Sequence, residues 1–288
     1  MTFRFFRYRF HFRALDPVVF PRGKSANVLR GAFGTLLRAS TTPAEYTRLF
    51  RPGRALQKSP SGLADWPRPF IFRASHLDGA AIPAGAGFFV DAHVFDLRNP
   101  VLPHFQRTFE QLAVQGLGPG RGRAQLERVE QLDLEDGAAE ASDPQPLSLS
   151  FEADPRPSTD ARIQFLTPTE LKAGSHVIDR PEFCVLFGRL RDRIATLATL
   201  YGGGANDLDY RGLGERAGRI RLAECDLAWA HLERKSGRTG QTHPLGGFTG
   251  TAAYEGDLAE FLPWLRAGRW VGVGRQTVWG KGDIRVLP

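Results

Sequence analysis

The sequence predicts an α+β protein built from two β-α-β-β-α-β units in tandem. Three observations carry this. The chain opens on an alternation of Phe6, Tyr8, Phe10 and Phe12 with Arg7, Arg9, His11 and Arg13, the period of a half-buried strand. Apolar spacing then switches between strand and helix periods in the order strand, helix, strand, strand, helix, strand, and does so twice. Between the two series, GAAEASDPQPLSLSFEADPRPS (Gly137 to Ser158) is acidic, proline-bearing and poor in basic residues, the composition of a linker. The expected units are residues 1–136 and 159–288, joined by 137–158.

In the first unit, the aromatic side of the opening strand should meet a core. Its basic side meets either solvent or phosphates. In FPRGKSANVLRGAFGTLLRAS, Leu29, Phe33, Leu36 and Leu37 share a helical face, with Ser25 as the expected cap. Gly23-Lys24-Ser25 looks like the end of a phosphate-binding loop. Val18 stands where that loop needs a glycine, so a nucleoside triphosphatase is excluded. Arg22 and Lys24 ahead of a helix N-terminus still make a candidate anion site. Residues 40–68 are rich in Pro, Gly and Arg and read as loop. RPFIFRAS and GAGFFVDAHVFDL read as strands. Leu102, Phe105, Phe109 and Leu112 mark a helix ending at GLGPGRG, and RAQLERVEQLDLED gives a strand. Within the linker, Leu147 to Phe151 is a candidate short strand.

The second unit starts with the strand ARIQFLTPTEL. Phe183, Phe187, Leu190, Ile194 and Leu197 form a helical face, with Arg189, Arg191 and Arg193 mainly off it, ending at Gly202-Gly203-Gly204. RIRLAECDLAWAHLERKS and GGFTGTAAYEG read as paired strands, DLAEFLPWL as a helix and IRV as a closing strand. Between these last two lies a glycine-rich stretch, with Gly268, Gly272, Gly274, Gly280 and Gly282 among Arg269, Arg275, Lys281, Arg285, Trp270 and Trp279. Glycine lets a backbone approach a ligand closely. The cations suit phosphates and the indoles suit bases. A tight connection with no ligand fits the same composition. A dinucleotide fingerprint does not, because it opens a helix after a strand and the order here is reversed.

Lysine and arginine number 38 against 31 acidic residues, a formal charge of +7, which favours a polyanionic partner. The two cysteines, Cys184 and Cys225, have no close partner in sequence, which argues against a disulfide scaffold or thiolate zinc site. Neither HExxH nor GxSxG occurs, so metal-dependent and serine hydrolysis are poorly supported and no metal or other cofactor is expected. No segment reads as a signal peptide or membrane span, and a cytoplasmic protein is expected. Of seven histidines, His243 stands out. It follows RKSGRTGQT, among Arg234, Lys235 and Arg238, where it could serve as a general base or simply begin the next strand.

Four segments, LRGAFGTLL, RPFIFR, FLTPTELK followed by FCVLFGRLRDRIATLATLYG, and the stretch from Gly246 to Val286, occur in an order that resembles the CRISPR-associated RAMP superfamily. Within it, the chain is most similar to the endoribonucleases that cut precursor CRISPR RNA. The resemblance implies tandem ferredoxin-like domains with antiparallel sheets that bind repeat RNA in a cleft. It implies cleavage without metal, through attack of a ribose 2′-hydroxyl, leaving a 2′,3′-cyclic phosphate on a retained product. Other CRISPR effector subunits are further expected partners, and the chain is expected to be a monomer or homodimer with no membrane contact. RNA contacts are expected from Arg22, Lys24, Arg234, Lys235, Arg238, Arg269, Gly272, Gly274, Arg275, Gly280, Lys281 and Gly282. The chain departs from the family where many members carry a histidine, in or just after the first helix: Ser25 to Trp66 contains none. Three outcomes stay open. His243 is the base from the other unit; Tyr46 with Lys58 and neighbouring arginines cleaves slowly; or the chain is a non-catalytic RNA-binding RAMP subunit.

Overall fold

A computed structural model describes residues 1–52, 66–139, 144–202, 207–235 and 242–288; Lys58 and Arg238 lie outside the described residues. The first half comprises β1 (Thr2–Ala14), β2 (Val18–Val19), α1 (Ser25–Ser40), α2 (Pro43–Phe50), β3 (Phe70–Arg73), β4 (Ala81–Ile82), β5 (Gly87–Val94), α3 (Leu102–Gln115) and β6 (Ala124–Gln131). Its sheet runs β3-β5-β1-β6, antiparallel throughout, with β2 and β4 paired separately. Among the four main strands this order is second, third, first, fourth, which is the ferredoxin-like topology. The short strand β7 (Leu147–Ser150) pairs with Thr2–Phe5 at the start of β1.

The second half repeats that topology. Its elements are β8 (Asp160–Thr169), the hairpin β9 (Leu171–Ala173) and β10 (His176–Ile178), α4 (Phe183–Tyr201), α5 (Tyr210–Ala217), β11 (Arg221–Ala230), the hairpin β12 (Glu233–Lys235) and β13 (Thr242–Pro244), β14 (Gly247–Glu255), α6 (Leu262–Val271) and β15 (Ile284–Leu287). The sheet runs β11-β14-β8-β15, again second, third, first, fourth. The α+β tandem ferredoxin-like expectation therefore holds.

Side-chain alternation along β1 explains how the halves stack. Tyr8, Phe10 and Phe12 enter a core with Leu29, Phe33 and Leu37 of α1 and Phe105 and Phe109 of α3. On the opposite face, Phe3 and Phe5 join a second core with Phe187 and Leu190 of α4 and Leu265 of α6. Helices α4 and α6 thus lie between the two sheets. Four basic residues of β1 are correspondingly spoken for: Arg7 pairs with Asp136, Arg9 with Asp91 (2.7 Å), His11 with Glu130 (2.6 Å) and Arg13 with Glu127 (2.5 Å). A phosphate-binding face at these four residues is not what the structure presents, because carboxylates from β5, β6 and the turn after β6 neutralise it.

Two boundaries differ from expectation. Helix α6 begins at Leu262, with Pro263 in its first turn, where proline's missing N–H costs nothing. It continues through Gly268 and Trp270, so the front of the glycine-rich stretch is helical. Helix α2 lies in the segment expected to be loop and carries a full capping box between Thr42 and Glu45. No helix among the described residues is long and apolar enough to cross a membrane.

Phe33 is the hub of the first core, ringed by Phe72, Phe105 and Phe109 at centroid distances of 5.0, 4.9 and 4.9 Å. Phe33→Ala is expected to lower stability by about 3–5 kcal/mol, read as a reduced midpoint in denaturant unfolding.

Candidate nucleic-acid interface

The last carbonyls of a helix lack intrahelical donors and sit at the negative end of its dipole. At the end of α6, three side chains supply what is missing. Arg73 Nη2 donates to Arg269 O (2.9 Å), His93 Nδ1 to Trp270 O (2.8 Å) and Arg193 Nε to Val271 O (2.8 Å). Arg73 and His93 come from β3 and β5, so the first sheet is tied to the helix that delivers the glycine-rich segment. Arg73 also lies 3.6 Å from Asp283. Burial, with Arg73 and Arg7 nearby, pushes the His93 pKa well below its ordinary 6.5. Burial and Arg73 together push Arg193 down to about 9.

After α6 the chain turns at Gly272, runs to a 3₁₀ turn at Thr277–Trp279 and enters β15. Gly280 and Gly282 take φ of +78° and +68°, where side chains are strained. A Cβ on Gly280 would collide with Ala26 of α1, and one on Gly282 with Val273 O. Gly274 lies equally close to Glu170 O, while Gly272 and Gly282 are buried. These glycines serve close packing of the segment against α1 and the end of β8. Lys281 is 3% exposed and its Nζ donates to Gly23 O (2.8 Å); burial pushes its pKa down to about 8. The expectation that Lys281 holds phosphate is thereby corrected: the ammonium is a tether between the segment and the start of α1.

Beside this segment opens a cleft of about 560 Å³ shared by both halves. Trp66, Pro67 and Arg68 form one wall. Glu170, Lys172 and Gly174 follow from β8 and the β9–β10 hairpin; Arg189, Asp192 and Arg193 project from α4; Pro244 and Gly274 to Trp279 complete it. Five basic side chains, Arg68, Lys172, Arg189, Arg193 and Arg275, face two acidic ones. Arg189 Nε donates to Lys172 O (2.9 Å), and Gln276 Nε2 to Pro244 O (2.9 Å). Arg30 of α1 lies over both Phe50 (4.8 Å) and Trp279 (5.7 Å), linking the cleft wall to the first core.

The structure brings several expected residues together. A Cβ on Gly23 would lie 2.9 Å from Leu232 Cδ1, so the chain entering β12 rests on the start of α1, beside exposed Arg22 and half-buried Lys24. In the β12–β13 hairpin, Arg234 is opposite His243 and Lys235 opposite Thr242. Pro244, next after His243, reaches the cleft. Arg275 pairs with Glu170 and Arg269 with Asp136. Tyr46 is set apart, on α2, stacked on Phe50 (5.4 Å) with Arg51 over it (5.8 Å). The anion site expected at the start of α1 is filled from within: Asp78 Oδ1 accepts from Ser25 N (2.9 Å) and Ser25 Oγ (2.5 Å). Ser25 is thus the first helical residue rather than the cap.

Arg68, Lys172, Arg189 and Arg193 were not among the expected contacts. For the last two a signal existed: four residues apart, they share a helix face.

Two family models match. One, described as CRISPR-associated endoribonuclease Cas6, matches residues 163–284, and an N-terminal-domain model matches residues 3–148. Over residues 163–284 the chain is similar to the Cas6 family. Its Cas6-type fold is shared with a Cas6 product complex, at 19% identity over 99% of each chain and a TM-score of 0.60. Thermus thermophilus Cas6 is also 19% identical, over 100% of this chain and 99% of the other, with a TM-score of 0.57. A partial Cas6-RT-Cas1–Cas2 complex aligns at 14% identity over 99% of this chain and 46% of the other, with a TM-score of 0.61. No curated protein matches the chain. The match supports a CRISPR RNA-processing nuclease.

The buried His93 sets a pH dependence. Its folded pKa is depressed, so above about pH 6.5 both states hold it neutral and it adds no slope. Below that, the unfolded chain takes up a proton that the folded state resists, and stability falls. Acidification from about pH 7 to about pH 5.5 should lower the denaturant midpoint, and His93→Gln should make the fall shallower.

Proposed function

We propose that this protein binds CRISPR repeat RNA in the basic cleft and cuts it without a metal ion. The observation that supports this most is the convergence of five cationic side chains from both halves on one cleft whose walls include Trp66 and Trp279. Cations suit the phosphates of a single strand, and indoles suit its bases. A ribose 2′-hydroxyl attacks the adjacent phosphate, giving a 2′,3′-cyclic phosphate and a 5′-hydroxyl. That reaction needs an in-line backbone, cations on the crowded phosphate and two proton transfers. His243, next to a cleft-lining residue, is proposed as one proton-transfer group; Tyr46 and Lys58 are held in reserve. Exposed Arg22, half-buried Lys24 and the β12–β13 hairpin extend the RNA path beyond the cleft. Contacts on one side of the cut keep the product bound and available to other CRISPR subunits. Residues 1–136 and 159–288 are read as the two domains.

A second reading is a non-catalytic RNA-binding subunit. It is favoured by the lack of histidine from Ser25 to Trp66 and of any histidine among the described cleft residues.

One experiment separates them: purified protein is incubated in EDTA with the repeat RNA of its neighbouring array and read on a gel. Cutting at one position, abolished by 2′-deoxy substitution just 5′ of the cut, supports the first reading. Bound but intact RNA supports the second, and cutting only with magnesium overturns the proposed chemistry. Lys172→Ala and Arg189→Ala should each weaken binding and reduce the salt slope by about 0.7 per lost phosphate contact, measured by titration at several salt concentrations. Unchanged slopes would remove the cleft from the RNA path.

A further inference from the structure

We infer that Glu170 is the group that takes the 2′-hydroxyl proton. This rests on the cleavage reading above and supplies the base that the first helix lacks.

The cleft narrows the choice. Among its described residues the side chains able to accept a proton at neutral pH are two carboxylates, Glu170 and Asp192. Four histidines are engaged elsewhere: His11 with Glu130, His76 with Phe89 O, His93 with Trp270 O and His104 with Glu45. Asp192 is paired with Arg191, which sets Nε and Nη2 on its Oδ1 at 3.0 and 2.8 Å but does not line the cleft, so that pair offers no phosphate clamp there.

Glu170 is placed differently. It directly follows β8, where the glycine-rich segment passes against it: Arg275 N donates to Glu170 O (3.0 Å), and Gly274 leaves room for the approach. That backbone bond already anchors the segment. The carboxylate is therefore not needed as an anchor, yet it is 6% exposed on a cleft wall and bonded to the Arg275 guanidinium. The Arg275 side chain is 55% exposed. A guanidinium has five N–H donors in a fixed fork, so one Arg275 can orient the carboxylate and still offer donors to a phosphate. A proton acceptor and a phosphate clamp are thereby held side by side, which in-line attack on that phosphate requires.

In the reaction, the 2′-oxygen bonds to phosphorus as its proton passes to a Glu170 carboxylate oxygen. The bond from phosphorus to the 5′-oxygen breaks, and that oxygen takes a proton from His243 in its imidazolium form. The cyclic phosphate and the 5′-hydroxyl are left, with Glu170 protonated and His243 neutral.

The test is single-turnover cleavage of the repeat RNA in EDTA across a range of pH, for wild type, Glu170→Gln, Glu170→Asp and His243→Ala, with RNA affinity measured in parallel. Glu170→Gln is expected to lose ~10²–10⁴-fold in rate with affinity kept, and to lose the rise of rate with pH on the acid side. Glu170→Asp, which keeps the carboxylate, should recover part of the rate and keep that rise. His243→Ala should lose the fall on the alkaline side. A slow Glu170→Gln that keeps the wild-type pH profile would reduce Glu170 to a positioning residue and overturn the inference. So would wild-type rate in Glu170→Gln, or loss of the acid-side rise in His243→Ala. Failure of wild type to cut would instead sink the cleavage reading itself, and this assignment with it.

Discussion

The carbonyl end of α6 holds the molecule together. Three backbone acceptors with no helical partner, at the negative end of a helix dipole, would be costly if left bare between two sheets. Two are met by Arg73 and His93 from the first sheet and one by Arg193 from α4. The registry of the halves is thereby set by directional bonds as well as by the apolar contact of Phe3 and Phe5 with the second core. Everything that follows α6 inherits that registry: the turn at Gly272, the 3₁₀ turn bearing Trp279, and the wall of the cleft.

The glycine-rich segment shows how one composition supports two explanations. Bare backbone can approach a ligand or another backbone, and here the second is what the packing uses. Gly280 meets Ala26, Gly282 meets Val273 O and Gly274 meets Glu170 O. Lys281 is drawn into the same contact, its ammonium satisfied by Gly23 O. The segment still frames the cleft, through the side chains of Arg275, Gln276 and Trp279. Its glycines shape the cleft only by fixing where those side chains stand.

Much of the fold was legible in the sequence because its main elements are strongly periodic. The alternation along β1, the face of Phe183, Phe187, Leu190 and Ile194 on α4, and the short strand near Leu147 all correspond to observed elements. The capping box of α2 was readable as Thr42-Pro43 followed by Glu45, but the surrounding prolines and glycines hid it. The site was less legible, because it depends on register and stacking. Nothing local in Arg9 or His11 tells that Asp91 and Glu130 stand beside them. Nor does anything near Arg68 tell that it will share a cleft with Lys172 and Arg189.

The same register governs how far a formal charge of +7 can act on a polyanion. Cations that release bound counterions drive association in proportion to the phosphates they neutralise. A cation already paired with a carboxylate must exchange one anion for another, and its gain is smaller. Arg7, Arg9 and Arg13 on β1 are paired in this way, as are Arg269 and Arg275. Arg73, Arg193 and Lys281 are bonded to carbonyl oxygens between elements. The charge open to a polyanion is therefore smaller than the sequence total. Exposed arginines such as Arg107, Arg121 and Arg219 lie outside the cleft lining, so bulk charge alone does not single the cleft out. Whatever selectivity the cleft adds must come from its shape and registry, and both trace back to the capped end of α6.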